Sequence, residues 1–166
     1  MTNVVPGRRR LDLPGADAIL RRSFYLQPGG VHSSAEPTEV VTLLGSCVSV
    51  CLFDPAARVG GVNHFLLPQG PSADGSPRYG TNAMALLLEE VLALGASASA
   101  LRAKVFGGAS TLRPAFGRSI AEKNVELALH VLEEARIPVL ERDVGGDRGR
   151  KLVFHTDVGA AWMRRL

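Results

Sequence analysis

The stretch "TLLGSCVSVCLFDP", Thr42 to Pro55, determines much of the fold because it holds apolar runs on both sides of a Gly-Ser pair. Val40–Leu44 and Val48–Phe53 are apolar and rich in β-branched residues, so each run predicts a strand. Gly45-Ser46 between them predicts a bend or a bulge. The second strand is therefore preceded by a thiol, that of Cys47, which follows the bend directly.

The rest of the chain predicts more strands and two helices. Apolar periodicity and capping residues predict helices over 81–94 and 120–135. Further strands are predicted at 23–26, 59–67, 101–106, 137–140, 152–155 and 160–165, and the polar segment 31–39 predicts a loop. This order of a β-rich start, helix, strand, helix and β-rich end predicts an α/β fold of mixed β-sheets with packed helices.

The chain has 166 residues, which is the size of one ordinary domain. Residues 1–22 are rich in Arg, Gly and Pro and show no sustained periodicity, so they predict a loosely ordered N-terminal extension. Residues 23–166 are predicted to form a single domain.

Composition argues against several classes of partner. The net charge is +3, the basic residues are spread along the chain, and only 5% of residues are aromatic, so no nucleic-acid partner is expected. No apolar run reaches the roughly 18 residues of a membrane span, and the N-terminal residues lack a signal-peptide pattern. We therefore expect no membrane insertion and a cytoplasmic location.

The two cysteines, Cys47 and Cys51, predict neither a disulfide nor a metal site. Four residues apart on one strand, their Cα atoms would be about 13 Å apart, too far for a disulfide. Two thiols at this spacing also do not make a tetrahedral metal site, and no second pair of ligands appears. We expect no metal and no cofactor.

The turn signal "DPAA", Asp54–Ala57, predicts a hairpin that pairs Cys47 with a histidine. With Pro55-Ala56 as a two-residue loop, Cys47 lies opposite His64 on the same face, with Cβ atoms about 5 Å apart. A thiol beside a protonated imidazole loses its proton more readily, and the thiolate is the nucleophile. Cys47 and His64 are therefore a candidate catalytic pair.

Gly45 and Ser46 are candidates for shaping the site. A sharp turn at Gly45 would present backbone N–H groups to an oxyanion, which acyl transfer requires. The competing interpretation is that a strand cysteine fills the core, because free cysteine is among the most buried residue types. We adopt that interpretation for Cys51.

Six separated motifs resemble the CheD family, the chemoreceptor glutamine deamidases of bacterial chemotaxis. They are the opening stretch, "GGVNHFLLP", "RYGTNAM", "KVFGGAS", "NVELAL" and "VGGDRGRKLVF", and the likeness runs from Tyr25 to Leu166. The resemblance implies a cysteine hydrolase that converts receptor glutamines to glutamates. It also implies an α/β sandwich similar to the catalytic domain of cytotoxic necrotizing factor toxins. Cys47 matches the family nucleophile, and His64 falls on the family's catalytic histidine.

Two positions depart from the family pattern. The family carries a threonine six residues before the cysteine, where this chain has Val41, with Thr42 next to it. Either Thr42 takes that place after a local shift, or a carbonyl or water orients His64. The family also reads Ile-Gly-x-Arg-Asn where this chain has 120–124, "IAEKN", so Asn124 is kept as a candidate for contacting substrate or a partner.

The resemblance implies the cytoplasmic domain of a chemoreceptor as substrate and raises a CheC-type phosphatase as a candidate partner. The same chemistry could hydrolyse a receptor methyl ester. A papain-like protease shares the Cys-His pair, but its nucleophile usually opens a helix, whereas Cys47 opens a strand. A non-catalytic receptor-binding adaptor of the same fold is a further alternative, favoured by Val41.

Overall fold

The break at Gly45-Ser46 carries the chain from one β-sheet into another. In the computed structural model, which describes residues 19–71, 74–110, 112, 114 and 116–166, Thr38–Leu44 forms one strand and Val48–Asp54 the next. The first strand belongs to a four-stranded sheet and the second to a five-stranded sheet. The predicted break between two strand segments is confirmed, and it lies between the two sheets.

The described residues form nine strands and two α-helices, with one short 3-10 turn at Ala98–Ala100. In chain order they are β1 (Arg22–Tyr25), β2 (Val31–Ser34), β3 (Thr38–Leu44), β4 (Val48–Asp54), β5 (Val59–Asn63), α1 (Gly80–Ala93), β6 (Arg102–Gly107), α2 (Ile120–Glu134), β7 (Val139–Val144), β8 (Arg150–His155) and β9 (Ala161–Arg165).

Each sheet mixes parallel and antiparallel neighbours. The four-stranded sheet has the order β1-β3-β8-β9, and the five-stranded sheet has the order β2-β5-β4-β6-β7. The pairs β1 with β3 and β6 with β7 are parallel, and the other pairs are antiparallel. The predicted α/β class with mixed sheets and packed helices is confirmed.

The five-stranded sheet is the middle layer of the molecule. Both helices contact this sheet, α1 through β2, β4 and β5, and α2 through β4 and β6. Its other face packs on the four-stranded sheet in a second apolar cluster that includes Val40, Phe106 and Phe154. Strand β4 is buried along its whole length because both of its faces are covered, which explains its unbroken apolar run.

The loop predicted over 31–39 is wrong, because Val31–Ser34 forms the edge strand β2. This strand pairs antiparallel with β5, and Ser33 lies opposite Gly61. Its side chains are half-buried and mostly polar, so the strand shows no apolar alternation. Strand β2 therefore forms because its backbone pairs with β5 at the sheet edge, and its amino-acid composition does not predict it.

The two-residue loop predicted between β4 and β5 is also wrong. Asp54 pairs with Val59, so the loop holds the four residues Pro55–Arg58. The carboxylate of Asp54 accepts hydrogen bonds from the N–H groups of Ala56 and Ala57, at 2.9 and 3.1 Å. Arg58 then adopts a left-handed conformation with φ of 57°. These side-chain bonds favour a longer loop than the type I signal predicted.

The longer loop shifts the pairing of the hairpin by two residues. The observed register pairs Cys51 with Val62 and joins Val48 to Phe65 in an isolated bridge. Cys47 is therefore not directly opposite His64. Because side chains alternate between faces with a period of two, an even shift leaves both residues on the face that was predicted.

The structure describes the chain from Ile19 onwards. Residues 1–18 of the extension predicted over residues 1–22 therefore lie outside the described residues. Arg21 donates two hydrogen bonds to the Asp157 carboxylate, at 2.8 and 3.0 Å, and Arg22 begins β1. These two residues are thus part of the folded body. The division into an extension and one domain otherwise stays a prediction. No helix of the described residues is long and apolar enough to cross a membrane.

Candidate active site

Three residues predicted for the site face the space between the two sheets. Thr42 lies on β3, where Thr42 and Leu44 are buried and the intervening Leu43 is exposed. His64 follows β5 directly and is only 1% exposed. Cys47 precedes β4 and packs, half-buried, against the apolar cluster between the sheets. The sheet that carries Thr42 therefore meets the sheet that carries Cys47 and His64.

A hydrogen bond joins Thr42 to His64 across that space. Thr42 Oγ1 lies 2.7 Å from His64 Nδ1 and 2.8 Å from the carbonyl oxygen of Leu26. A hydroxyl has one proton and a carbonyl can only accept, so Thr42 donates to Leu26 and accepts from the His64 Nδ1–H. This arrangement fixes the tautomer of the neutral ring and leaves the lone pair on Nε2.

Val41, which occupies the family's usual threonine position, points the other way. It lies between Val40 and Thr42 on β3 and is half-buried on the face turned away from the space between the sheets. Of the groups considered for orienting His64, the Thr42 hydroxyl is the one that contacts the ring. The catalytic role of Thr42 stays a prediction.

Burial keeps both members of the candidate pair neutral. It lowers the pKa of His64 to about 4, so the imidazole carries no charge at neutral pH. Burial also raises the pKa of the Cys47 thiol, although the Ser46 hydroxyl and the N–H of Cys47 itself act in the opposite direction. Both directions favour the neutral forms of the thiol and the imidazole in the free chain, so ionisation of Cys47 by a protonated imidazole is not favoured there.

Cys47 and His64 are diagonal neighbours across the β4–β5 pair. The bridge between Val48 and Phe65 has hydrogen bonds in both directions, of 3.2 and 3.1 Å, and each candidate residue precedes one member of this bridge. Diagonal positions on one face of a sheet are about 7–8 Å apart, which long and aromatic side chains can span. Cys47 and His64 are therefore not directly opposed as predicted, but they lie on the same face of the sheet.

Three successive carbonyl groups around Cys47 are held by internal donors. These carbonyls are those of Gly45, Ser46 and Cys47, and their donors are Ala109 N at 2.8 Å, Asn124 Nδ2 at 3.1 Å and Gly108 N at 2.8 Å. Among the described residues, the N–H groups of Ser46 and Cys47 donate to no acceptor of another residue. The loop thus directs its carbonyls inward and leaves two N–H groups beside the thiol that bond to no other described residue.

Asn124 lies on α2 and is fully buried. Its amide nitrogen donates to the carbonyl of Ser46 at 3.1 Å and to the carbonyl of Leu66 at 2.9 Å. The side chain therefore makes internal contacts on both sides of the site. The expectation that it contacts substrate or a partner stays a prediction.

Two further groups at the site lie in the motifs "KVFGGAS" and "VGGDRGRKLVF", and neither was predicted to be a site residue. Gly107 has φ of 110°, and a Cβ added there would overlap the carbonyl oxygen of Cys47. The guanidinium of Arg150, which is 2% exposed, donates to the Gly107 carbonyl at 3.2 Å and to the Asp143 carboxylate at 3.1 Å. The glycine pair directly after a predicted strand indicated a backbone turn at Gly107. No pattern in the sequence singled out Arg150.

A depression of about 340 Å³ adjoins the Cys47 loop. It is lined by residues of that loop, of the segment after β6 and of the start of α2, among them Gly45, Ser46, Ala109, Ser110, Ser119 and Ile120. A larger hollow of about 650 Å³ lies between α2 and β7, and its lining includes none of the predicted catalytic residues. The smaller depression includes the predicted site-shaping residues Gly45 and Ser46, and its lining likewise includes neither Cys47 nor His64.

Cys51 lies in the core between the two sheets and is fully buried. Burial raises the pKa of its thiol strongly, so it remains protonated and out of contact with solvent. Within the described part of the chain, no three His, Cys, Asp or Glu side chains are grouped as a metal site would require.

The comparisons with known proteins agree on one family. The family model "CheD chemotactic sensory transduction" matches residues 66–165, a span that includes Asn124 and begins just after His64. A protein of Anaeromyxobacter dehalogenans named probable chemoreceptor glutamine deamidase CheD 1 is 57% identical over 88% of this chain and 86% of its own length. Similarly named proteins of Trichlorobacter lovleyi and Vibrio vulnificus strain YJ016 are 47% and 43% identical, over 87% and 84% of this chain and 91% and 69% of their own.

Proposed function

The chain belongs to the CheD family, and from this premise we propose that it is a cysteine hydrolase that deamidates glutamine side chains of chemoreceptors. The relatives named as chemoreceptor glutamine deamidases support the reaction and the class of substrate. The hydrogen bond between Thr42 and His64 is the observation that carries the assignment of residues, because it leaves Nε2 as a base on the face that Cys47 shares.

In the first half of the reaction, the Cys47 sulfur attacks the side-chain amide carbon of a glutamine. His64 Nε2 takes the thiol proton as the sulfur–carbon bond forms, so the neutral pair needs no preformed thiolate. The same proton then passes to the departing nitrogen, and the carbon–nitrogen bond breaks to release ammonia. A thioester on Cys47 and a neutral imidazole remain.

In the second half, water replaces ammonia. His64 Nε2 takes a proton from the water as its oxygen attacks the thioester carbon, and the sulfur leaves with that proton. The product is glutamate, and the thiol of Cys47 is restored. Throughout both halves, the Nδ1–H of His64 donates to Thr42, which stabilises the ring when it becomes positively charged.

Both halves pass through a tetrahedral oxyanion, for which the free N–H groups of Ser46 and Cys47 are the proposed donors. Fixed donors directed at a developing negative charge stabilise the transition state more than the ground state. The bonds to the carbonyls of the loop support this role, because they hold the peptide groups that carry these two N–H donors.

Three finer points belong to the same proposal. Hydrolysis of a receptor methyl ester uses the same acyl chemistry and would release methanol. A CheC-type phosphatase is a candidate partner, and action on the cytoplasmic domain of receptors implies a cytoplasmic location. The likeness of the fold to the catalytic domain of cytotoxic necrotizing factor toxins stays a prediction.

The decisive experiment incubates the purified chain with a purified chemoreceptor cytoplasmic fragment. We expect ammonia release together with glutamine-to-glutamate conversion detected by peptide mass spectrometry. Cys47→Ser is the matched control and should release none. A chain that binds the fragment without releasing ammonia would instead be the non-catalytic adaptor, and methanol release from a methylated fragment would reveal esterase activity.

A further inference from the structure

We propose that Asn124 is a positioning residue that aims the Cys47 N–H at the oxyanion and holds the Cys47 loop against the segment that follows His64. The inference deepens the proposed function and rests on it. Asn124 has no exposed surface, so it acts through the groups that it binds. Those groups are the carbonyls of Ser46 and Leu66, one on each side of the candidate catalytic pair.

The link between Asn124 and the oxyanion donor is a single peptide unit. The carbonyl of Ser46 and the N–H of Cys47 belong to the same planar trans peptide, so they point in opposite directions. Asn124 Nδ2 binds that carbonyl from the inside at 3.1 Å. The N–H of Cys47 is thereby directed outward, beside the sulfur. Without the amide of Asn124, this peptide loses the side-chain bond that sets its orientation.

The second N–H of the Asn124 side-chain amide holds the segment that follows His64. It donates to the carbonyl of Leu66 at 2.9 Å, two residues beyond His64. A single planar amide therefore spans both segments of the site. The neighbouring anchors of the loop, Ala109 N to Gly45 and Gly108 N to Cys47, are backbone bonds that a side-chain substitution leaves in place.

The two ends of the Asn124 amide differ in their contacts, because only the nitrogen is hydrogen-bonded. The Oδ1 atom of Asn124 is buried, and it has no hydrogen-bond partner among the described residues. A buried acceptor without a partner destabilises the folded state, and apolar residues surround this part of α2, where Ala121, Ala128 and Leu132 are buried. The oxygen gains nothing at this position, so any benefit of the amide comes from the two bonds of its nitrogen.

Two small reagents separate orientation of the oxyanion donor from reactivity of the thiol, and neither depends on recognition of a receptor. p-Nitrophenyl acetate acylates Cys47 through a tetrahedral oxyanion and releases p-nitrophenolate. Iodoacetamide alkylates the same sulfur by displacing iodide and forms no oxyanion. We would measure both rates for the natural chain, for Asn124→Leu and for Asn124→Gln, with Cys47→Ser as the blank.

Asn124→Leu should lower the acylation rate by about 100-fold, the effect of removing one oxyanion donor, and change the alkylation rate by less than about threefold. Asn124→Gln, which retains an amide, should recover part of the acylation rate. Leu132→Ala, on the same helix and away from the Cys47 loop, is the control for general loss of stability. It should leave the ratio of the two rates unchanged.

Equal losses in both rates, or no loss in either, would overturn the role of Asn124 while leaving the proposed function intact. The same conclusion would follow if Leu132→Ala changed the ratio as much as Asn124→Leu does. Absence of acylation at Cys47 in the natural chain, together with absence of ammonia release from a receptor fragment, would overturn the proposed function itself and this inference with it.

Discussion

The hydroxyl of Thr42 and the ring of His64 are joined by a 2.7 Å hydrogen bond that crosses from the four-stranded sheet to the strand end of the five-stranded sheet. The bond exists because β3 directs Thr42 inward and Val41 outward. The packing of the two sheets therefore also fixes the position of the Thr42 hydroxyl relative to the His64 ring.

Substitution at the two cysteines should have opposite consequences for activity. Cys47→Ala should lower ammonia release by roughly 10³-fold or more while the free energy of unfolding changes little, because the side chain is half-buried at the surface of a loop. Cys51→Ala should retain activity and lose about 1 kcal/mol of stability, since it removes a buried sulfur. Activity assays and urea unfolding measure both effects. Full activity of Cys47→Ala would end its assignment as the nucleophile.

Thr42→Val should lower kcat by roughly 100-fold, because it removes the acceptor that fixes the tautomer of His64. It also leaves the Leu26 carbonyl without its donor, which should lower stability by about 1–3 kcal/mol. Thr42→Ser, which retains the hydroxyl, should restore most of the activity. Val41→Thr should produce no gain, and a gain there with no loss in Thr42→Val would show that position 41 is the functional one.

The free energy of unfolding should fall as the pH is lowered from 6.5 towards 4. The pKa of His64 is about 4 in the folded chain and near 6.5 when unfolded, so between these values only the unfolded chain binds the proton. This contribution of His64 to the free energy of unfolding is fully present above pH 6.5. As the pH is lowered towards 4, it falls by up to about 1.4 kcal/mol per pH unit.

His64→Gln provides the reference for this pH dependence. The other histidines are present in both proteins, so their contributions cancel in the difference between the two. Urea unfolding at several pH values from 7.5 to 4.5 should show the difference shrinking or changing sign as the pH falls. Parallel curves for the two proteins would mean that burial does not lower the pKa of His64.

Gly107→Ala should disturb the site, whereas Gly95→Ala should not. The two glycines have almost the same φ, 110° and 111°, so backbone strain of about 1–3 kcal/mol is common to both substitutions. Only at Gly107 would a Cβ overlap the Cys47 carbonyl, and Gly95 has open space. We expect Gly107→Ala to lose activity and additional stability, measured by ammonia release and urea unfolding. Equal activity in both variants would show that the Cys47 loop tolerates displacement.

The parts of the fold that depend on residues close together in the sequence could be predicted. Helix α2 begins at Ile120 as its periodicity indicated, and Ser119 and Glu122 form a capping box there. The common face of Cys47 and His64 was predictable in the same way, because it follows from the alternation of side chains and is unchanged by an error of two residues in register.

The remaining parts depend on partners distant in sequence. Thr42 reaches His64 only because β3 and β4 lie in different sheets, and β3 is placed by pairing with β8, more than 100 residues later. The loop after Asp54 depends on side-chain bonds to the backbone, which a turn signal does not count. No local pattern indicates that the amide of Asn124 binds Ser46 and Leu66.

The position of β3 between β1 and β8 also has a consequence for synthesis of the chain. A nascent chain that has emerged as far as α2 already contains Cys47, His64 and Thr42. It lacks β8, which pairs with β3 from Glu39 to Leu44 and so holds Thr42 in place. Because domains fold as units once their strands are available, we expect the hydrogen bond between Thr42 and His64 to form only after Arg150–His155 has left the ribosome.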